Sequence, residues 1–124
     1  MTQPLALVLY EKLLPGSQLV NRLQDLKYRV QAITDATLLV ECAQQTHPML
    51  VLADLDSTKE NICAAVARLR QNPGTQHVPV LAFTSNLTPE LQKAAETAGA
   101  TLLVSEQAVL NHLGECLQQA LEVK

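Results

Sequence analysis

The chain has 124 residues, a formal net charge of −3, and 48% apolar residues of which almost none are aromatic. That length suits one domain, residues 1–124, with a core filled by aliphatic side chains and alanine. No run approaches the ~18 uninterrupted apolar residues of a membrane span, and no stripe of Lys and Arg supplies the several cations on one face that direct nucleic-acid binding needs.

The Met-Thr-Gln-Pro start lacks the basic opening and cleavage pattern of a signal peptide. The protein is therefore expected to be soluble and cytoplasmic; the initial Met1 argues for a natural N-terminus, and nothing comparable speaks for Lys124. Leu5 to Leu9 is an unbroken apolar run, as expected of a strand buried on both faces. Pro15-Gly16-Ser17 follows, then Leu19, Val20, Leu23 and Leu26 at helical spacing. Tyr28 to Ile33 alternates as a second strand with one wetter face, and Asp35 is placed to cap a helix carrying Leu38, Leu39, Cys42 and Ala43.

His47-Pro48 breaks the chain before a second continuous apolar strand, Met49 to Ala53, which ends in Asp54-Leu55-Asp56. Ser57 to Glu60 has the form of a capping box, and Ile62, Ala65, Val66 and Leu69 mark one face of the helix after it. After the Asn72-Pro73-Gly74 turn, Val78 to Phe83 is a third apolar strand. Thr88-Pro89 opens a helix with Leu91, Ala94, Ala95 and Ala98 inside and Gly99 at its end. Thr101 to Val104 is a short strand, and Leu110, Leu113, Leu117 and Leu121 line a last helix.

Five strands alternating with five helices predict an α/β fold: a (βα)5 doubly wound parallel five-stranded sheet with helices on both faces. The wet second strand belongs at an edge and the apolar runs belong in the middle, which an order of 2-1-3-4-5 satisfies. Its switch point lies between strands one and three, so ligands are expected at their C-terminal ends, where Tyr10-Glu11 and Asp54-Leu55-Asp56 emerge. Cys42, Cys63 and Cys116 are odd in number and widely spaced, and read as small core residues. His47, His77 and His112 stand alone, without metal-type spacing.

These strand ends resemble the receiver domains of response regulators, including the stand-alone chemotaxis kind. In that family an acidic pair follows strand one, a phosphoaccepting Asp ends strand three, a Thr or Ser ends strand four, and a Lys, usually before Pro, ends strand five. Leu50-Val-Leu-Ala-Asp54, Leu81-Ala-Phe-Thr84-Ser85 and Ala98-Gly99-Ala100 match. The acidic pair is Tyr10-Glu11, Ser105-Glu106-Gln107 replaces Lys-Pro, and no lysine occurs between Lys93 and Lys124. The Pro usual a few residues after the phosphoacceptor is absent, and Leu102 and Leu103 stand where receivers carry a switch aromatic.

The resemblance implies a pocket of Tyr10, Glu11, Asp56, Thr84 and Ser105 around a candidate phosphoacceptor, Asp54. It implies a weak Mg2+ site from Glu11, Asp54 and the backbone carbonyl of Asp56. The leading expectation is a non-enzymatic pseudo-receiver of two-component signalling, acting through protein–protein interaction. Its partner would be a histidine kinase or a downstream target, or a second copy in a homodimer through the face of helix four, strand five and helix five. Two readings remain open beside it. One is a working phosphoacceptor, phosphorylated on Asp54 by a histidine kinase; the other is a small flavodoxin-like enzyme or cofactor binder, against which the absence of a Gly-rich phosphate cradle counts.

Overall fold

The computed structural model describes residues 5–10, 13–56 and 62–122. Five parallel strands, β1 (Leu5–Leu9), β2 (Arg29–Ile33), β3 (Leu50–Asp54), β4 (Val80–Thr84) and β5 (Leu102–Ser105), form one sheet in the order β2-β1-β3-β4-β5. The helices are α1 (Leu13–Asp25), α2 (Leu39–Thr46), α3 (Ile62–Gln71), α4 (Pro89–Ala98), α5 (Glu106–Asn111) and α6 (Leu113–Glu122). The expected doubly wound sheet and its strand order are the ones observed. No helix among the described residues is long and apolar enough to cross a membrane.

The two faces follow from strand periodicity, because successive side chains point to opposite sides. Leu7, Leu9, Val51, Ala53 and Val80 meet Leu39, Ala43 and the Ile62–Leu69 stripe of α3 on one face. Ala6, Val8, Leu50, Leu52, Leu81 and Phe83 meet Leu19, Leu23, Val109, Leu113 and Leu117 on the other. All five residues of β3 and of β4 are buried, as suits strands covered on both sides. Each fully buried Leu or Val contributes roughly 1.5–3 kcal/mol relative to exposure, so these two layers dominate the stability. β2, at the sheet edge, buries only Ile33, and its Ala32 is exposed.

Several local expectations are corrected. Pro15, Gly16 and Ser17 lie inside α1 and not in a connection before it. Pro15 is the third helical residue, where the backbone N–H would have no intrahelical partner, so proline costs little there. Leu26 follows the end of α1 and is exposed. Tyr28, Met49 and Val78 precede their strands, which begin one or two residues later. Asp35 caps a 3-10 turn at Ala36–Leu38 in place of α2 itself: its Oδ1 accepts the Thr37 N–H at 2.9 Å and the Thr37 hydroxyl at 2.6 Å. Leu38 lies in that turn and is exposed.

The single last helix is in fact two. His112, at φ −130 and ψ 39, leaves the helical region and separates α5 from α6. Leu113 and Leu117 stay buried beyond the break, so the apolar stripe survives it; the Leu121 side chain lies outside the described ones. In α4, Ala95 is buried while Ala94 faces out. Thr88 caps α4 by accepting the Leu91 N–H at 3.2 Å, with Pro89 at the first helical position as anticipated. The capping box at Ser57–Glu60 lies outside the described residues. Cys116 is buried, Cys42 and Cys63 are half-buried, and all three are free thiols.

One long side chain ties α3 to the turn that delivers β5. The Arg70 guanidinium donates Nε to the Gly99 carbonyl at 2.8 Å, Nη1 to the Gln76 and Val78 carbonyls at 2.6 Å each, and Nη2 to the Thr101 hydroxyl at 3.1 Å. Gly99 ends α4 at φ 106, a left-handed conformation that glycine alone adopts without cost.

Candidate functional site at the ends of β3 and β4

Strands β3, β4 and β5 each end in a polar residue at one rim of the sheet. Asp54 closes β3 and Thr84 closes β4; both are buried, at 3% and 1% exposure, at the ends of otherwise apolar strands. Asp54 stands in register with Phe83, and the Leu55 N–H continues the ladder to the Phe83 carbonyl at 2.9 Å. Thr84 is in turn in register with Ser105 on β5. Burial of these two polar side chains is tolerable only because each is hydrogen-bonded.

The bonds form one connected network. Asp54 Oδ1 accepts the Asp56 N–H at 2.9 Å, a turn that aspartate side chains favour two residues before a chain reversal. That turn carries the Asp56 carboxylate across to β4. There Oδ1 accepts the Thr84 hydroxyl at 2.6 Å and Oδ2 accepts the Ser85 N–H at 2.8 Å. Thr84 Oγ1 itself accepts the Asn86 N–H at 3.2 Å, which directs its own proton to Asp56.

Tyr10 follows β1; its N–H donates to the Ile33 carbonyl at 3.0 Å, and its half-buried side chain packs against the cluster beneath α1, α5 and α6. Ser105 is the N-cap of α5, its hydroxyl accepting the Ala108 N–H at 3.1 Å. Glu106 follows directly as the first residue of that helix, where its charge complements the helix dipole. Glu11 lies outside the described residues. The structure thus brings Asp54, Asp56 and Thr84 into one hydrogen-bonded unit, with Tyr10 and Ser105 at the neighbouring strand ends.

Sequence reasoning assigned Asp56 a place through its backbone carbonyl and missed the part its carboxylate takes. It also missed the amide of Ser85. The sequence shows Asp-Leu-Asp and Thr-Ser at the ends of two strands, but not the register that brings Asp56 against Thr84 and Ser85.

For a metal, the donors at this rim are all oxygens: the Asp54 carboxylate and the Asp56 carbonyl. Such a set fits a hard cation that keeps most of its waters, as Mg2+ does. Among the described residues, no group of three His, Cys, Asp or Glu side chains is arranged to hold an ion.

No protein-family model matches the sequence, and none of the curated proteins matches it. Solved structures do. The Vibrio cholerae chemotaxis protein CheY4 superposes with a TM-score of 0.87 at 19% identity, over 96% of this chain and 99% of that one. The chain has the receiver-domain fold. A response regulator from Thermotoga maritima matches at a TM-score of 0.81 and 17% identity, over 97% and 98% of the two chains. The Mn2+-bound form of the response regulator Rcp1 matches at 0.77 and 18% identity, over 93% and 89%. On the receiver scaffold, the Asp54–Asp56–Thr84 network occupies the C-terminal rim of the sheet beside the β1–β3 switch point, where doubly wound folds place their ligands.

Proposed function

We propose that the chain is a pseudo-receiver: one cytoplasmic module of two-component signalling that acts by binding a partner protein and not through a phosphorylation cycle. The observation that carries this reading is the end of β5. Aspartyl phosphorylation makes a carboxylate the nucleophile and depends on cations that neutralise charge on the transferring phosphoryl oxygens. The resemblance puts a lysine at this strand end. Here the strand runs into α5 through Ser105, whose hydroxyl is already engaged as the helix cap, and Glu106, a negative charge in place of a positive one. Losing one preorganised donor to a developing anion costs ~3–4 kcal/mol, a rate factor of roughly a hundred to a thousand.

A magnesium ion, where bound, would be held by Asp54, the Asp56 carbonyl and Glu11, and would supply positive charge next to the phosphoryl oxygens. The retained metal ligands therefore leave a weaker phosphoacceptor as the second reading. It is favoured by the burial of Asp54 at the switch-point rim, at the strand end to which the resemblance assigns the phosphoacceptor. The contact surface follows the resemblance: α4, β5 and the last helix, here divided into α5 and α6, where β5 is a sheet edge beside β4 and half-buried along its length. That edge suits a signalling partner or a second copy of the chain.

The deciding experiment is incubation with Mg2+ and acetyl phosphate, followed by intact mass, with Asp54→Asn in parallel. In a working phosphoacceptor an Asp54 oxygen bonds phosphorus as the bond from phosphorus to the acetate oxygen breaks, and acetate leaves. The pseudo-receiver reading expects no phosphate adduct. An adduct on the wild type that is absent from Asp54→Asn would replace it with the phosphoacceptor reading.

A further inference from the structure

The donors at the end of β4 already hold an anion, and that anion is part of the chain. Thr84 and Ser85 present two donors in succession, a hydroxyl and a backbone N–H, one to each oxygen of the Asp56 carboxylate. Hydrogen bonds from two donors to an ionised carboxylate are about twice as strong as neutral ones. The hydroxyl cannot readily turn elsewhere, because Thr84 is 1% exposed and its oxygen accepts from the Asn86 N–H. A hydroxyl and an amide converging in this way form a small oxyanion site.

Asp54 adjoins that site. It lies on the neighbouring strand, one register step before Thr84, with its Oδ1 2.9 Å from the Asp56 nitrogen. An anionic group attached to Asp54, or bound beside it, would reach toward the same two donors and meet the Asp56 carboxylate already in place. Asp56 is half-buried and Ser85 exposed, but at hydrogen-bond distance two anions on one pair of donors still repel each other and compete for the same hydrogen bonds.

We infer that Asp56 is a tethered anion seated in its own oxyanion site, which closes the Thr84–Ser85 donors to a phosphoryl-like group at Asp54. The seated carboxylate also bridges the turns after β3 and β4, holding them in one arrangement without any modification. This inference deepens the pseudo-receiver reading, for which it supplies a second cause besides the missing lysine, and the two fail in different ways.

The test uses the whole chain and beryllofluoride with Mg2+ as the probe. Binding replaces one fluoride on beryllium with an Asp54 oxygen and presents the remaining fluorines in the shape of a phosphoryl group. The variants are Asp56→Ala, which empties the site, and Asp56→Asn, which keeps the size and removes the charge. Asp54→Asn serves as the control that should abolish binding, and thermal melts verify folding. Amide NMR follows the Ser85 N–H. The expected result is an upfield shift of the Ser85 amide on loss of the carboxylate, and beryllofluoride binding at least about tenfold tighter in Asp56→Ala than in wild type.

Equal affinity in wild type and both variants would overturn the inference, as would a Ser85 amide that neither substitution moves. So would a site that stays shut to the probe with Asp56 removed, although the pseudo-receiver reading would then stand. Conversely, a wild type that takes phosphate from acetyl phosphate ends the pseudo-receiver reading, while the ratio between wild type and Asp56→Ala still decides whether Asp56 competes.

Discussion

Replacing Arg70 should uncouple the start of β5 from α3. Its guanidinium makes four hydrogen bonds between 2.6 and 3.1 Å, to three carbonyls and the Thr101 hydroxyl. The side chain is half-buried, and that burial pulls the guanidinium pKa down, so part of the benefit is offset by desolvation. The Gln76 carbonyl is exposed and water can replace its partner, whereas the Gly99 and Val78 carbonyls are partly buried and would be left short of one. At about 1 kcal/mol for each of those two, with a smaller sum for Thr101 and the aliphatic stem, Arg70→Ala should lose roughly 2–3 kcal/mol. Arg70→Met keeps the stem and should lose about 2 kcal/mol, all of it from hydrogen bonds. Arg70→Lys should fall between wild type and Met, because one ammonium cannot reproduce a planar fork. Urea denaturation at neutral pH reads these values directly. An Arg70→Met variant within about 0.5 kcal/mol of wild type would refute the view that the bonds, and not the stem, hold the turn.

Gly99→Ala should be more disruptive than its size suggests. An added Cβ would fall 2.5 Å from Arg70 Cγ, on a backbone at φ +106, so a loss of about 1–3 kcal/mol is expected in the same urea assay. In an Arg70→Ala background the steric share should vanish and the cost fall to about 1 kcal/mol; strict additivity of the two substitutions would count against the contact. A further expectation concerns alkaline pH. Burial raises the thiol pKa of Cys63 and, with help from Glu115, that of Cys116, and it raises the Tyr28 phenol as well. Their folded values lie above the unfolded ones, so their contribution is intact below the ordinary thiol value of about 8.5 and is lost as pH climbs through the folded values. Urea midpoints should therefore fall above about pH 8.5, less steeply in Cys63→Ala and Cys116→Ala variants; an unchanged slope in both would contradict the assignment.

The sheet was legible because burial dictates composition there. β3 and β4, covered on both sides, could only be continuous apolar runs, and β2, at an edge, could only be wetter, so strand order followed from three short segments. Helix ends were less legible where several signals compete. Pro15-Gly16 looks like punctuation, yet a first helical turn has no use for the missing N–H. The break at His112 left no trace in the spacing of Leu110, Leu113 and Leu117, because the stripe stays in phase across it. At the candidate site, residue types announced Asp54 and Thr84. The engagement of Asp56 with Thr84 depends on register between two strands thirty residues apart in sequence, and only the fold supplies that. Arg70 was invisible for the same reason: its four partners are backbone or hydroxyl oxygens in two separate connections, before β4 and before β5, whose sequences show no acidic residue.

The chain has no tryptophan and only two tyrosines. Both Tyr10 and Tyr28 pack against the same layer, the one beneath α1, α5 and α6. Intrinsic fluorescence therefore watches one side of the sheet, and the layer under α2 and α3 is optically silent. A urea transition followed by tyrosine emission reports that one side, whereas one followed by circular dichroism reports the backbone of both sides together. Their coincidence would show that the two sides melt as a unit, with the shared strands β1, β3 and β4 as the mechanical link between them.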